Sequence, residues 1–208
     1  MPVCAICGER EGTTRDHVPP KAIFPKPRPA NLVTVPACPD CNNGASDNDD
    51  LFKVFLSMQA AGNNEIARRL FQEKTVRTLQ RNQSLLSAIR RESTEVEVVN
   101  NQGLLETRRG VLWNSAAHDA VIERTIRGLY FHHSGSSVTH DAQLSVQWLS
   151  GVPEEILPQI HLFREVVLGD NQVTYKYIIF EDDPRHSLWL FDFYGAHWAS
   201  GHTSPIHS

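Results

Sequence analysis

A chain of 208 residues with 40% hydrophobic content is long enough to bury a sizeable core, and 21% charged residues excludes wholesale disorder. A formal net charge of −4 excludes a protein that coats nucleic acid over its whole surface, so any such contact must come from a local patch. Met1-Pro2-Val3-Cys4 offers neither a basic segment nor an apolar run, and no stretch approaches the roughly 18 apolar residues of a membrane span, so a cytoplasmic protein with no membrane partner is expected.

Residues 1–50 are rich in turns and proline (Pro2, Pro19, Pro20, Pro25, Pro27, Pro29, Pro36 and Pro39) and need a staple to hold a structure. Short apolar-rich pieces at Arg15–Val18 and Leu32–Val35 predict a hairpin around a long proline-rich loop. After Cys41 the period becomes helical, with Leu51, Phe52, Val54, Phe55 and Met58 on one face. Gly62-Asn63-Asn64 breaks that helix, and a second is predicted from Asn64 to about Arg91. In the second stretch Arg68, Arg69, Lys74, Arg77, Arg81, Arg90 and Arg91 face only Glu65, Glu73 and Glu92. Arg68 and Arg69 on this basic face are candidate nucleic-acid contacts. A solvated face with Glu65–Arg69 and Glu73–Arg77 pairs is the alternative.

Thr94–Val99 and Leu104–Trp113 alternate like strands around Asn100-Asn101-Gln102-Gly103, a hairpin turn. Asn114 to about His132 predicts an amphipathic helix with Val121, Ile122, Ile126, Leu129 and Tyr130 inward. Strands are predicted at Leu144–Leu149, Phe163–Leu168, Val173–Phe180 and Ser187–Phe193, with Asp170-Asn171 as a turn. The small, polar tail from His197 to Ser208 is expected to fray. Trp148, Trp189, Phe191, Phe193, Tyr194 and Trp198 are expected in the core, and His118, His132, His133, His140 and His161 match no metal-binding spacing.

All four cysteines fall in Cys4-Ala5-Ile6-Cys7 and Cys38-Pro39-Asp40-Cys41. A two-residue gap lets both sulfurs of a pair reach one ion, and two pairs complete a tetrahedral thiolate site for structural Zn²⁺. Such a site is closed, so the zinc is not the catalyst. Between and after the pairs lie Thr14-Arg15-Asp16-His17-Val18-Pro19-Pro20-Lys21, Asn31-Leu32-Val33, and Cys41-Asn42-Asn43-Gly44-Ala45-Ser46-Asp47. His17 is the only histidine in the first 117 residues, and an ordinary pKa near 6.5 suits a general base. Arg15 and Lys21 are candidate phosphate contacts.

In this order, embedded in the cysteine pairs, the three pieces resemble the HNH endonuclease family (the ββα-metal fold) over about residues 4–58. The resemblance implies a nuclease in which Asp16 is a ligand of a catalytic divalent ion, His17 activates water, and Asn31 braces the loop that holds the base. Asn42 stands at the motif's last position, where the founding pattern has His, and implies a second ligand to Mg²⁺ or Mn²⁺. Val18-Pro19-Pro20 is more proline-rich than the common form. The expected class is therefore α+β. A zinc-stapled HNH module occupies residues 1–60, a helical connector 61–93, and a mixed α+β domain with an antiparallel sheet 94–208. The implied activity is hydrolysis of phosphodiester bonds in DNA, with RNA left open, in restriction or phage defence. A double-strand break would take a homodimer through residues 94–208. The competing reading is a non-catalytic zinc-dependent module that binds nucleic acid or protein on the same scaffold.

Overall fold

The computed structural model describes residues 2–100, 102–112 and 115–206. The expected strand end at Trp113, turn residue Asn101 and helix start at Asn114 lie outside the described residues.

The N-terminal hairpin forms as expected, with both strands shifted by one or two residues. β1 (Thr14–His17) pairs antiparallel with β2 (Thr34–Ala37), so that Asp16 faces Val35 and His17 faces Thr34. A short α1 (Pro39–Asn43) follows, with Cys38 at its cap accepting the Cys41 amide on Sγ at 3.5 Å. α2 (Ser46–Ala60) starts with Asp47 and Asp49 in its first turn, where carboxylates complement the helix dipole, and buries Phe52, Val54, Phe55 and Leu56.

The single helix expected over 64–91 is broken. α3 (Glu65–Leu70) is capped by Asn64, whose side chain accepts the Ala67 amide at 3.0 Å, and runs through a π turn at Phe71–Thr75 into α4 (Val76–Arg81). At Asn82 the backbone leaves the helix, and its side chain accepts the Leu85 amide at 3.0 Å to start α5 (Gln83–Arg91). An asparagine side chain that bonds the backbone locally competes with the helix, and here the local bond prevails. β3 (Ser93–Val99) and β4 (Leu105–Val111) form a separate two-stranded hairpin.

α6 (Ser115–Ser134) is the central helix. Its buried positions include the expected Val121, Ile122, Ile126, Leu129 and Tyr130. It packs against α2 on one side and on the other against a five-stranded antiparallel sheet of order β5-β9-β8-β7-β6. The strands are β5 (Ala142–Leu149), β6 (Arg164–Leu168), β7 (Val173–Ile179), β8 (Ser187–Phe193) and β9 (His197–Pro205), with 3₁₀ turns at Glu154–Leu162 before β6. Trp189, Phe191, Phe193 and Tyr194 are buried as expected.

Over its described residues, 197–206, the tail does not fray. β9 lies inside the sheet, pairing with β5 on one side and β8 on the other. Its small residues serve close packing rather than disorder. A Cβ on Gly201 would lie 2.3 Å from Ile126 Cδ1, so only glycine lets α6 approach β9 here. One cluster of buried side chains includes Val18, Phe24, Val35, Phe52, Ile126, Tyr175 and Phe191, so the hairpin, α2, α6 and the sheet share a core.

Candidate functional site

The four cysteine sulfurs lie within 4.8 Å of one another. Cys4 and Cys38 are buried, and Ala37 and Ile6 pack beside them. Gly8, at φ +70°, turns the first pair back, with its amide on the Cys4 carbonyl at 2.8 Å. Arg10 reaches across to the second pair, donating to Cys41 Sγ at 3.8 Å and pairing with Asp40. Burial pushes the Cys7 thiol up, but hydrogen bonds from the Arg10 and Glu9 backbone and the Arg10 side chain outweigh it and bring the group to about 6. Burial and the neighbouring sulfurs push the Cys41 thiol up instead, and it is the convergence of four sulfurs that fits a thiolate-bound metal ion.

Beside this cluster a cleft of about 270 Å³ opens at the end of β1. Asp16 and His17 line it from β1, Asn42 from α1, Ser46, Asp49 and Asp50 from the start of α2, and Arg15 and Lys21 at the rim. α1 is held across β1 by the Asn42 side chain, whose Nδ2 donates to Thr14 Oγ1 at 3.0 Å and to the Arg15 carbonyl at 3.3 Å. That leaves Asn42 Oδ1 without a hydrogen bond among the described residues. Although consecutive strand residues alternate sides, Asp16 and His17 both reach the cleft, and Asp16 Oδ1 accepts the His17 amide at 2.8 Å.

Asp16 is only 7% exposed, and its Oδ2 accepts no hydrogen bond. Arg124 of α6, 6% exposed, lies behind it, with Nε 3.5 Å from Asp16 Oδ2 and Nη2 donating to Asp49 Oδ1. Burial raises both carboxyls above their ordinary range, Asp49 to about 6, with Arg124 opposing the rise. His17 moves the other way: burial, then the neighbouring Lys21 charge, lowers its pKa and favours the neutral imidazole. At neutral pH the cleft therefore presents an uncharged nitrogen base beside oxygen donors.

Two sets of predicted residues are placed elsewhere. Asn31 does not line the cleft. It donates to the Val167 carbonyl at 2.9 Å and accepts the Gly169 amide at 3.2 Å, fastening the β1–β2 loop to the end of β6. Arg68 and Arg69 do not line it either. Arg68 is engaged by Glu65 at 2.6 Å and by the Ala61 carbonyl, so Glu65 pairs one residue earlier than expected. Among the described residues the cysteine cluster is the one group of three or more Cys, His, Asp or Glu donors. Three histidines are engaged within the fold: the half-buried His133 bonds the hydroxyls of Tyr175 and Tyr177 at 3.0 and 2.9 Å, and the buried His118 lies in the core against His197.

Asp49, Asp50 and Arg124 went unpredicted. The acidic run Asp47–Asp50 was a visible signal but is equally the chemistry of a helix start. Arg124 carries no such signal, because its partners Asp16 and Asp49 lie far away in the chain.

No family model, curated protein or solved structure matches the chain. Among the described residues no helix is long and apolar enough to cross a membrane.

Proposed function

We propose that the chain is a metal-dependent nuclease of the HNH type. More particularly, it is a DNA endonuclease that cuts one strand per site. The observation that carries this is the meeting of Asp16 and His17 with Asn42, from two pieces of sequence, in one cleft beside the four-cysteine cluster.

Cys4, Cys7, Cys38 and Cys41 would hold Zn²⁺, which staples the N-terminal loops to the hairpin. Asp16 and Asn42 would hold Mg²⁺ or Mn²⁺; Asp16 Oδ2 and Asn42 Oδ1 accept no protein hydrogen bond among the described residues. A single carboxylate and an amide carbonyl suit a hard cation that keeps waters and substrate oxygens around it. Once bound, such an ion supplies charge stabilisation for the phosphate and the departing oxygen. His17 takes the proton of the attacking water while the new P–O bond forms and the scissile P–O bond breaks. Arg15 and Lys21, at the rim, orient the phosphate.

A nicking assay on supercoiled plasmid tests this. The expected result is nicking by the wild type in Mg²⁺, none in EDTA, and none by His17→Ala, which retains fold and zinc content. Equal nicking by wild type and His17→Ala overturns the catalytic assignment, and DNA binding without any cleavage leaves the non-catalytic binding module. Double-strand breaks need two sites, supplied by a dimer through residues 94–208. Sedimentation showing a monomer that makes blunt breaks overturns that part.

A further inference from the structure

The loop between β1 and β2 divides its residues by side. Ile23, Phe24 and Pro25 are buried, whereas Lys21, Lys26 and Arg28 are exposed. Between Glu11 and Asp40 the chain carries four cations, Arg15, Lys21, Lys26 and Arg28, against one acid, Asp16. This surplus stands out in a protein of net charge −4. None of Lys21, Lys26 and Arg28 joins an ion pair among the described residues, in contrast to Arg68 with Glu65.

The backbone that carries these cations is anchored from beneath. Tyr194 donates its hydroxyl to the Ile23 carbonyl at 2.5 Å, and the Lys74 ammonium donates to the carbonyls of Ala22 and Phe24. Downstream, Asn31 ties the loop to Val167 and Gly169. The Pro29 ring sits so close to Gly169 that a Cβ there would come within 2.7 Å of it. Pro25, Pro27 and Pro29 alternate with Lys26 and Arg28 and restrict φ at every second residue. A pinned, proline-stiffened loop loses little conformational freedom when its cations meet a ligand.

We infer that residues 21–29 form a rail for a nucleic-acid backbone, along which Lys21, Lys26 and Arg28 lead the phosphates of one strand to the cleft at His17. Lys21 itself lines that cleft. Arg28 and Lys26 also repel the Lys74 ammonium that anchors the loop, whose pKa burial and the charges of Arg28, Lys53 and Lys26 lower to about 8. Phosphates would relieve a repulsion that Glu73 offsets only in part. The region from β6 to Tyr194 thereby gains a role: it is the bed that holds the rail in place.

The inference rests on the nuclease reading for its substrate, but binding measured without cleavage tests it separately. A fluorescein-labelled DNA duplex, with an RNA duplex as a second arm, is titrated with the full chain in EDTA at several KCl concentrations. For wild type, log K falls with log[KCl]. In Lys26→Gln/Arg28→Gln the slope shrinks by about two, since each phosphate contact contributes about 0.9. Arg68→Gln/Arg69→Gln leaves it unchanged. The substituted side chains are exposed, and matched melting curves verify the fold. An unchanged slope in the loop variant, or no binding by wild type, overturns the rail. A reduced slope in a protein that never nicks plasmid supports the rail and defeats the nuclease reading.

Discussion

Arg124 Nε stands 3.5 Å from Asp16 Oδ2, and both groups are almost fully buried. This contact links the central helix to the end of β1. It makes the residue expected to bind the catalytic ion depend on a part of the chain in which the sequence shows no chemistry. Nε and Nη1 of Arg124 donate to no partner within hydrogen-bond geometry, so the guanidinium relies on Asp49 and on the charge of Asp16.

Breaking a buried pair leaves an uncompensated charge, which costs about 3–5 kcal/mol. Arg124→Met therefore lowers the urea midpoint strongly, because Asp16 and Asp49 are left facing each other. Arg124→Lys keeps the charge without the two-armed geometry and loses less. Urea unfolding of both variants at pH 7 checks this, and a midpoint for Arg124→Met equal to that of the wild type contradicts the pairing.

Four sulfurs within 4.8 Å predict about one zinc ion per chain by metal analysis, and Cys38→Ser removes most of it. Stripping the metal opens the N-terminal segment first, since that segment has little core of its own. Hydrogen exchange should show faster amides at Cys4–Gly8 and Cys38–Asn43 while β7 and β8 stay protected.

A Cβ on Gly128 would meet Val18 Cγ1 at 2.6 Å and its Cγ2 at 3.0 Å. Val18 is buried, β-branched and unable to swing away, so Gly128→Ala destabilises by about 1–3 kcal/mol through overpacking. Val18→Ala in the same chain relieves part of that cost. A double-mutant cycle with a coupling energy of at least about 0.5 kcal/mol is the expected result, and additive losses contradict the contact.

His133 is half-buried between two tyrosine hydroxyls, and this partial burial brings its pKa from 6.5 to about 4. The unfolded chain binds the proton first, so the contribution of His133 to stability is complete above about 6.5 and declines as pH falls towards about 4. Asp49, raised to about 6, acts in the opposite direction over part of that range, so the comparison must be between variants. His133→Gln is expected to show a smaller stability loss than wild type between pH 7 and pH 5 in paired urea titrations. Parallel losses contradict the assignment.

The hairpin, α2, α6 and four of the five sheet strands were legible because alternation and helical periodicity report which face is buried. The fifth strand was not. β9 is built from small residues such as Ala199, Ser200 and Gly201, which resemble a frayed end until a helix is seen to need their size. The break at Asn82 was missed because helical spacing of leucines continues across it, while one side chain redirects the backbone.

By itself the sequence determined the cysteine pairs, the order of Asp16, His17 and Asn42 around them, and the alternating patterns that mark most strands. These are local properties, set by spacing of a few residues. Only the tertiary structure decided that Arg124 supports Asp16, that Asn31 fastens its loop to the end of β6, and that the exposed cations lie on the proline-rich loop's outer side. Each of these depends on residues far apart in the chain meeting through burial of a shared core, a relation that local spacing does not encode.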